Sequence, residues 1–78
     1  MGNEISLLIV PQNIFLSVKP NLKVGSLRKL IALKLDISLE ELIIEIGGFT
    51  IDGDDQDELT LKSLEVKKAT EVLVTTKF

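Results

Sequence analysis

The chain has 78 residues, 45 % of them apolar, with nine Lys and Arg against twelve Asp and Glu for a net charge of −3. That length allows one domain, 1–78, whole or excised from a larger protein. The absence of cysteine and histidine excludes disulfides, iron–sulfur clusters, thiolate zinc, an imidazole base and most transition-metal sites.

The acidic balance disfavours nucleic acid as a partner. No apolar run approaches the roughly 20 residues that span a bilayer, and no basic signal-like region opens the chain. The expected molecule is a cytoplasmic or nuclear monomer with no cofactor and no membrane contact. Met1-Gly2-Asn3-Glu4-Ile5-Ser6 matches the myristoylation pattern. Ser6, however, falls within the first expected strand, which leaves a modifying enzyme little room.

Glu4 to Val10 alternates with β-rich side chains, and Ile14 to Val18 does the same across the turn Pro11-Gln12-Asn13. This predicts a hairpin with Ile5, Leu7 and Ile9 inward and Ser6, Leu8 and Val10 outward. On its second strand Ile14, Leu16 and Val18 point inward, and Phe15 and Ser17 outward. Lys19 to Leu22 is a loop into the only strongly periodic helix, where Val24, Leu27, Ile31 and Leu35 make an apolar stripe with Leu30 beside it. Its start lies between Lys23 and Ser26, with Ser26 as a candidate cap, and its end near Leu35-Asp36. Arg28, Lys29 and Lys34 lie off the stripe's centre and are expected in solvent.

Ser38 to Glu41 reads as a single helical turn. Leu42 to Ile46 is a third strand, with Leu42, Ile44 and Ile46 inward and Ile43 and Glu45 outward. Gly47-Gly48 turns the chain into a brief fourth strand, Phe49 to Ile51. Asp52 to Glu58 then gathers five of the twelve acids: Asp52, Asp54, Asp55, Asp57 and Glu58. Thr60 to Leu64 reads as a short helical turn capped by Thr60. Glu71 to Thr76 closes the chain as a strand with Val72 and Val74 inward and Leu73 outward. The order strand, strand, helix, strand, short strand, turn, strand gives an α+β fold: one helix across one face of a mixed five-stranded sheet, with the last strand parallel to the first. That is the β-grasp.

Val24-Gly25-x-Leu27-Arg28-x-x-Ile31, followed by Ile37, resembles the helix signature of ubiquitin-like domains. Val18-Lys19-Pro20 is similar to the end of that family's second strand. Leu42-Ile43-Ile44-x-Ile46-Gly47-Gly48-x-x-Ile51, Thr60-Leu61-x-x-Leu64 and Val72-x-Val74 follow in the family's order, so the resemblance runs from Ile5 to Thr76. It implies a non-catalytic protein-binding module. Conjugated relatives carry a C-terminal Gly-Gly, whereas here Gly47-Gly48 is internal and Thr76-Lys77-Phe78 ends the sequence given, so neither conjugation nor sulfur carriage is expected.

The resemblance also locates the family's usual recognition patch, which an outward Ile and Val supply. The corresponding positions are Glu45 and Thr75, and burying Glu45 unpaired costs several kcal/mol. Ordinary ubiquitin receptors are therefore expected to bind poorly. Leu8, Val10, Phe15, Ile43 and Leu73 instead make an apolar band on the outer face, and with Glu45 they are the candidate partner-binding residues. Three origins fit such a band: a displaced docking face, a surface covered by a tail or neighbouring domain, or β-propensity alone.

The acidic loop has its own alternatives. Asp52-x-Asp54-x-Gln56 opens like an EF-hand, but Asp57 and Ser63 stand where glycine and glutamate are required, so no metal is expected. A solvated, charge-repelled loop is one reading. Docking of a basic partner, as in the Phox/Bem type of β-grasp module that the loop loosely resembles, is the other. Arg28 is expected to anchor the loop through Asp52 or Asp54. An enzyme is not expected: the chain lacks His, Cys, Tyr and Trp, its acids sit mainly in one loop, and one helix over a small sheet leaves no cleft of roughly 300 Å³.

Overall fold

The computed structural model describes residues 4–66 and 69–77. Gly2, the candidate lipidation site, lies outside them. Five strands, β1 (Ile5–Val10), β2 (Ile14–Val18), β3 (Leu42–Ile46), β4 (Phe49–Ile51) and β5 (Ala69–Thr76), form one sheet in the order β2-β1-β5-β3-β4. β5 runs parallel to β1 and antiparallel to β3. The helix α1 (Val24–Leu35) crosses one face, and Leu39–Glu41 forms a 3-10 turn before β3. This is the β-grasp arrangement expected from the order of elements.

Alternation sets the two faces. Leu7 and Ile9 of β1, Val72 and Val74 of β5, and Leu42, Ile44 and Ile46 of β3 bury against Val24, Leu27 and Ile31 of α1. Ile51, Leu61 and Leu64 close the core at one end. On β2, Ile14 and Leu16 are only half-buried, as befits a strand at the sheet's edge. The glycines of the β3–β4 turn have φ of 57° and 88°, the left-handed geometry that matches a tight turn to the twist of its strands.

The helix corrects two expectations, the Ser26 cap and the solvation of Arg28. It begins at Val24 with no side-chain cap, and Ser26 is an interior, exposed residue. Its first amides are satisfied from a distance: Val24 N–H donates to the Leu59 carbonyl at 2.7 Å and Gly25 N–H to that of Asp57 at 3.0 Å. Arg28, expected in solvent, is 4 % exposed. At the other end the left-handed Asp36 and the bond from Ile37 N–H to the Ala32 carbonyl close a Schellman cap, so an aspartate does a glycine's task. The Thr60 segment is a hydrogen-bonded turn instead of a helix. The Thr60 and Ser63 hydroxyls each accept from the other residue's amide at 3.1 Å.

Gly25 is required by proximity. A Cβ there would stand 2.8 Å from Asp57 Cβ and 2.9 Å from its Cγ, both held by the loop. Helix propensity alone favours Gly25→Ala by about 1 kcal/mol. The clash is expected to reverse that sign, for a net loss of about 1–2 kcal/mol in urea unfolding. A stabilised variant would show that the loop can step aside.

Candidate functional site

The sheet's outer face carries the sequence-predicted residues at register positions that can be read directly. Phe15 of β2 stands opposite Leu8 of β1, and Leu8 opposite Glu71 of β5. One step along, Val10 stands opposite Leu73, and Leu73 opposite Glu45 of β3. Ile43 is opposite Thr75, diagonal to Leu73. Phe15 is 75 % exposed and Leu73 42 %, while Leu8, Val10 and Ile43 are half-buried among their neighbours. The five apolar side chains form a diagonal from the β2 edge to β3, and a shallow groove of about 230 Å³ lies at its Phe15 end, lined by Ser6, Leu8, Phe15, Thr70 and Glu71. Leu33 on the helix (80 % exposed) and Phe49 at the β4 edge are also exposed. Leu33 was legible, since it lies opposite Val24 around the helix axis.

The acidic loop sits at the opposite side of the molecule's logic: it belongs to the helix. Arg28 Nη1 donates to Asp57 Oδ1 at 2.8 Å, so the anchor is Asp57 and not the expected Asp52 or Asp54. Asp57 lies three residues beyond Asp54 and five beyond Asp52, and the backbone bond from Gly25 to Asp57 decides which carboxylate arrives. Arg28 Nη2 reaches the Leu39 carbonyl at 3.4 Å, and its buried Nε has no partner. Lys23 Nζ donates to Glu58 at 2.9 Å; that hydrogen bond, with the carboxylate's charge, raises the lysine pKa above 10.5. Being raised, this contribution is present at neutral pH and fades only as pH climbs past the lysine's folded value. Asp57 and Glu58 are thus committed within the chain, and Asp52, Asp54 and Asp55 remain exposed.

A cleft of about 340 Å³ opens between this loop and the Leu39 turn, lined by Arg28, Leu39, Glu40, Asp52, Gly53, Asp54, Asp57 and Lys77. This overturns the expectation that one helix over a small sheet leaves no such space: the loop, not the helix, supplies the second wall. Among the described residues no group of three or more metal-ligating side chains converges. The cleft's four carboxylates against two cations suit an ammonium or guanidinium group more than an anion.

No protein-family model matches the chain, and no curated protein matches it. Solved structures do. Over 96 % of this chain and 92 % of the other, the fold superposes on the ubiquitin of Caldiarchaeum subterraneum with TM-score 0.74 at 20 % identity. The ubiquitin-like domain of Arabidopsis thaliana protein At2g32350 matches with TM-score 0.76 at 15 % identity, over 96 % of this chain and 77 % of that one. The N-terminal ubiquitin-like domain of the 4931431F19Rik protein gives TM-score 0.76 at 20 % identity, over 100 % and 79 %. The chain has a ubiquitin-like β-grasp fold.

The Arg28–Asp57 pair is asymmetric, with side chains 5 % and 27 % exposed. Asp57→Ala strands a buried guanidinium and is expected to cost about 3 kcal/mol, whereas Arg28→Met leaves a carboxylate that can reach water and costs about 1 kcal/mol. Chemical denaturation of both, and of the double variant, checks the order. Equal losses would mean that the pair is effectively solvated.

Proposed function

We propose that this domain is a non-catalytic protein–protein interaction module that docks a partner, or a neighbouring domain of its own polypeptide, through the outer face of the sheet. The observation that carries this is the apolar diagonal Phe15, Leu8, Val10, Leu73 and Ile43 on a face that no element of the described chain covers. The side chains are anchored on paired strands, so the surface is rigid and its presentation costs little ordering entropy. Glu45 of β3 lies at the diagonal's margin, opposite Leu73. The Gly47-Gly48 pair forms the β3–β4 turn, and conjugation is not part of the reading. Nor is catalysis: the chain has no histidine or cysteine to act as base or nucleophile.

A second reading is favoured by one observation, the acid-lined cleft. There Asp52 and Asp54, with Glu40, could receive a basic side chain of a partner, in the manner expected for the acidic loop.

The two are separated by substitution. Phe15→Ser with Leu73→Ser alters exposed positions and is expected to leave stability within about 0.5 kcal/mol. Against extract as the partner source, the wild-type domain is expected to capture a protein that the face variant loses and that Asp52→Asn with Asp54→Asn keeps. Loss only with the loop variant, in a salt-sensitive manner, would transfer the function to the cleft. Capture indifferent to both would refute both surfaces.

A further inference from the structure

The five strands carry only two charged residues, Glu45 and Glu71, and all nine Lys and Arg lie elsewhere in the chain. Both carboxylates are exposed on the outer face, and among the described residues neither has an ion-pair partner. Their register places them as diagonal neighbours on β3 and β5: Glu45 stands opposite Leu73, two residues along from Glu71. Diagonal pairs of this kind lie about 7–8 Å apart, close enough for like charges to repel. They also follow the apolar diagonal. Glu71 flanks Leu8, Glu45 flanks Leu73, and both fall on the same side of the band.

The band has a length. From Phe15 to Ile43 it crosses three strand spacings of about 4.8 Å while advancing two side-chain pairs along the strands, which gives about 20 Å. A sheet face, unlike a sheet edge, offers an occupant no backbone donors or acceptors. An extended peptide laid across it would bury unpaired amides, whereas a helix satisfies its own. About 20 Å is the length of a helix of about 13 residues.

We infer that the outer face is built for an amphipathic basic helix, its apolar stripe lying along Phe15, Leu8, Val10, Leu73 and Ile43 and its Lys or Arg side chains, one turn apart, meeting Glu71 and Glu45. Charge complementarity is what selects this occupant. The apolar band alone accepts any greasy surface, but two carboxylates along one flank, without an ion-pair partner among the described residues, penalise an acidic or neutral one. A second copy of the domain would bring the same two carboxylates to the interface and is disfavoured for the same reason. The groove beside Phe15 takes the helix's terminal apolar side chain, with Glu71 at its wall to meet an adjacent cation. The inference rests on the docking face proposed above and adds the chemistry of what docks.

The probe is a synthetic amphipathic peptide of about 14 residues with leucines at helical spacing and lysines along one flank. It is compared with the same peptide carrying glutamates for the lysines, and with a scramble of the lysine version. Each is titrated into isotope-labelled domain by heteronuclear NMR. The lysine peptide is expected to shift Leu8, Val10, Glu45, Glu71 and Leu73 saturably. Glu45→Gln with Glu71→Gln, at exposed positions, is expected to weaken it roughly five- to tenfold, the sum of two rim ion pairs. Glu45→Lys with Glu71→Lys is expected to reverse the preference in favour of the glutamate peptide. Equal binding of lysine and glutamate peptides on this face would overturn the charge assignment and leave the docking face standing. Equal binding of the scramble would overturn the helix. Shifts that grow with the domain's own concentration would assign the face to a second copy instead. Shifts confined to residues 52–58, or none with any peptide, would overturn the inference and the docking face together.

Discussion

One helix can cover only one face of a sheet, and in this chain that constraint decides the rest. Strand side chains alternate, so the register that sends Leu7, Ile9, Ile44, Ile46 and Val72 under α1 must send Leu8, Val10, Phe15, Glu45 and Leu73 to the other side. A slip of one residue would exchange the two sets and put Glu45 into the core. The apolar residues that remain outside are therefore not failures of burial. They are what is left after the interior has been filled, and their arrangement on the bare face is where a binding surface is to be sought.

The loop between β4 and β5 solves a different problem. A helix beginning Lys23-Val24-Gly25 has no residue able to cap it from its own side chain, and a chain this short has little core to compensate. The loop carbonyls of Leu59 and Asp57 take the first two amides, and the Asp57 carboxylate takes the Arg28 guanidinium from the same short segment. Backbone and side chain of one aspartate thus hold the helix at two points. The acidic composition that looks like a solvated tether is partly structural: two of its five acids neutralise cations of the helix region, and three are left to colour the surface.

Much of this was legible in the residues. Alternation marked β1, β2, β3 and β5 and the direction of nearly every strand side chain, because period two is a strong signal when one face is buried and the other is not. The helix was legible from Val24, Leu27, Ile31 and Leu35. Its capping was not, since the groups that satisfy its first amides lie more than thirty residues away in sequence and only the tertiary fold brings them near. Arg28 was misplaced for the same reason: on the helix alone it flanks the stripe, and the loop that roofs it is invisible to local periodicity. The cleft escaped because a loop wall has no repeating pattern to read. Of the candidate site, membership of the outer face was readable, but the alignment of two carboxylates beside the apolar diagonal required the β5 register, which no local rule supplies.

The close approach of Gly25 to Asp57 divides the acidic segment into two parts with unequal freedom. Upstream of residue 57, Asp52, Asp54 and Asp55 are exposed and the segment's backbone bonds are local turns, Asp57 N–H to the Asp54 carbonyl and Leu59 N–H to that of Gln56. Downstream, from Asp57 to Lys62, carbonyls and amides are engaged in fixed succession with residues 20 to 25. A single inserted residue there would shear that ladder out of phase. Local turns can absorb a change of length that the clasp behind them cannot.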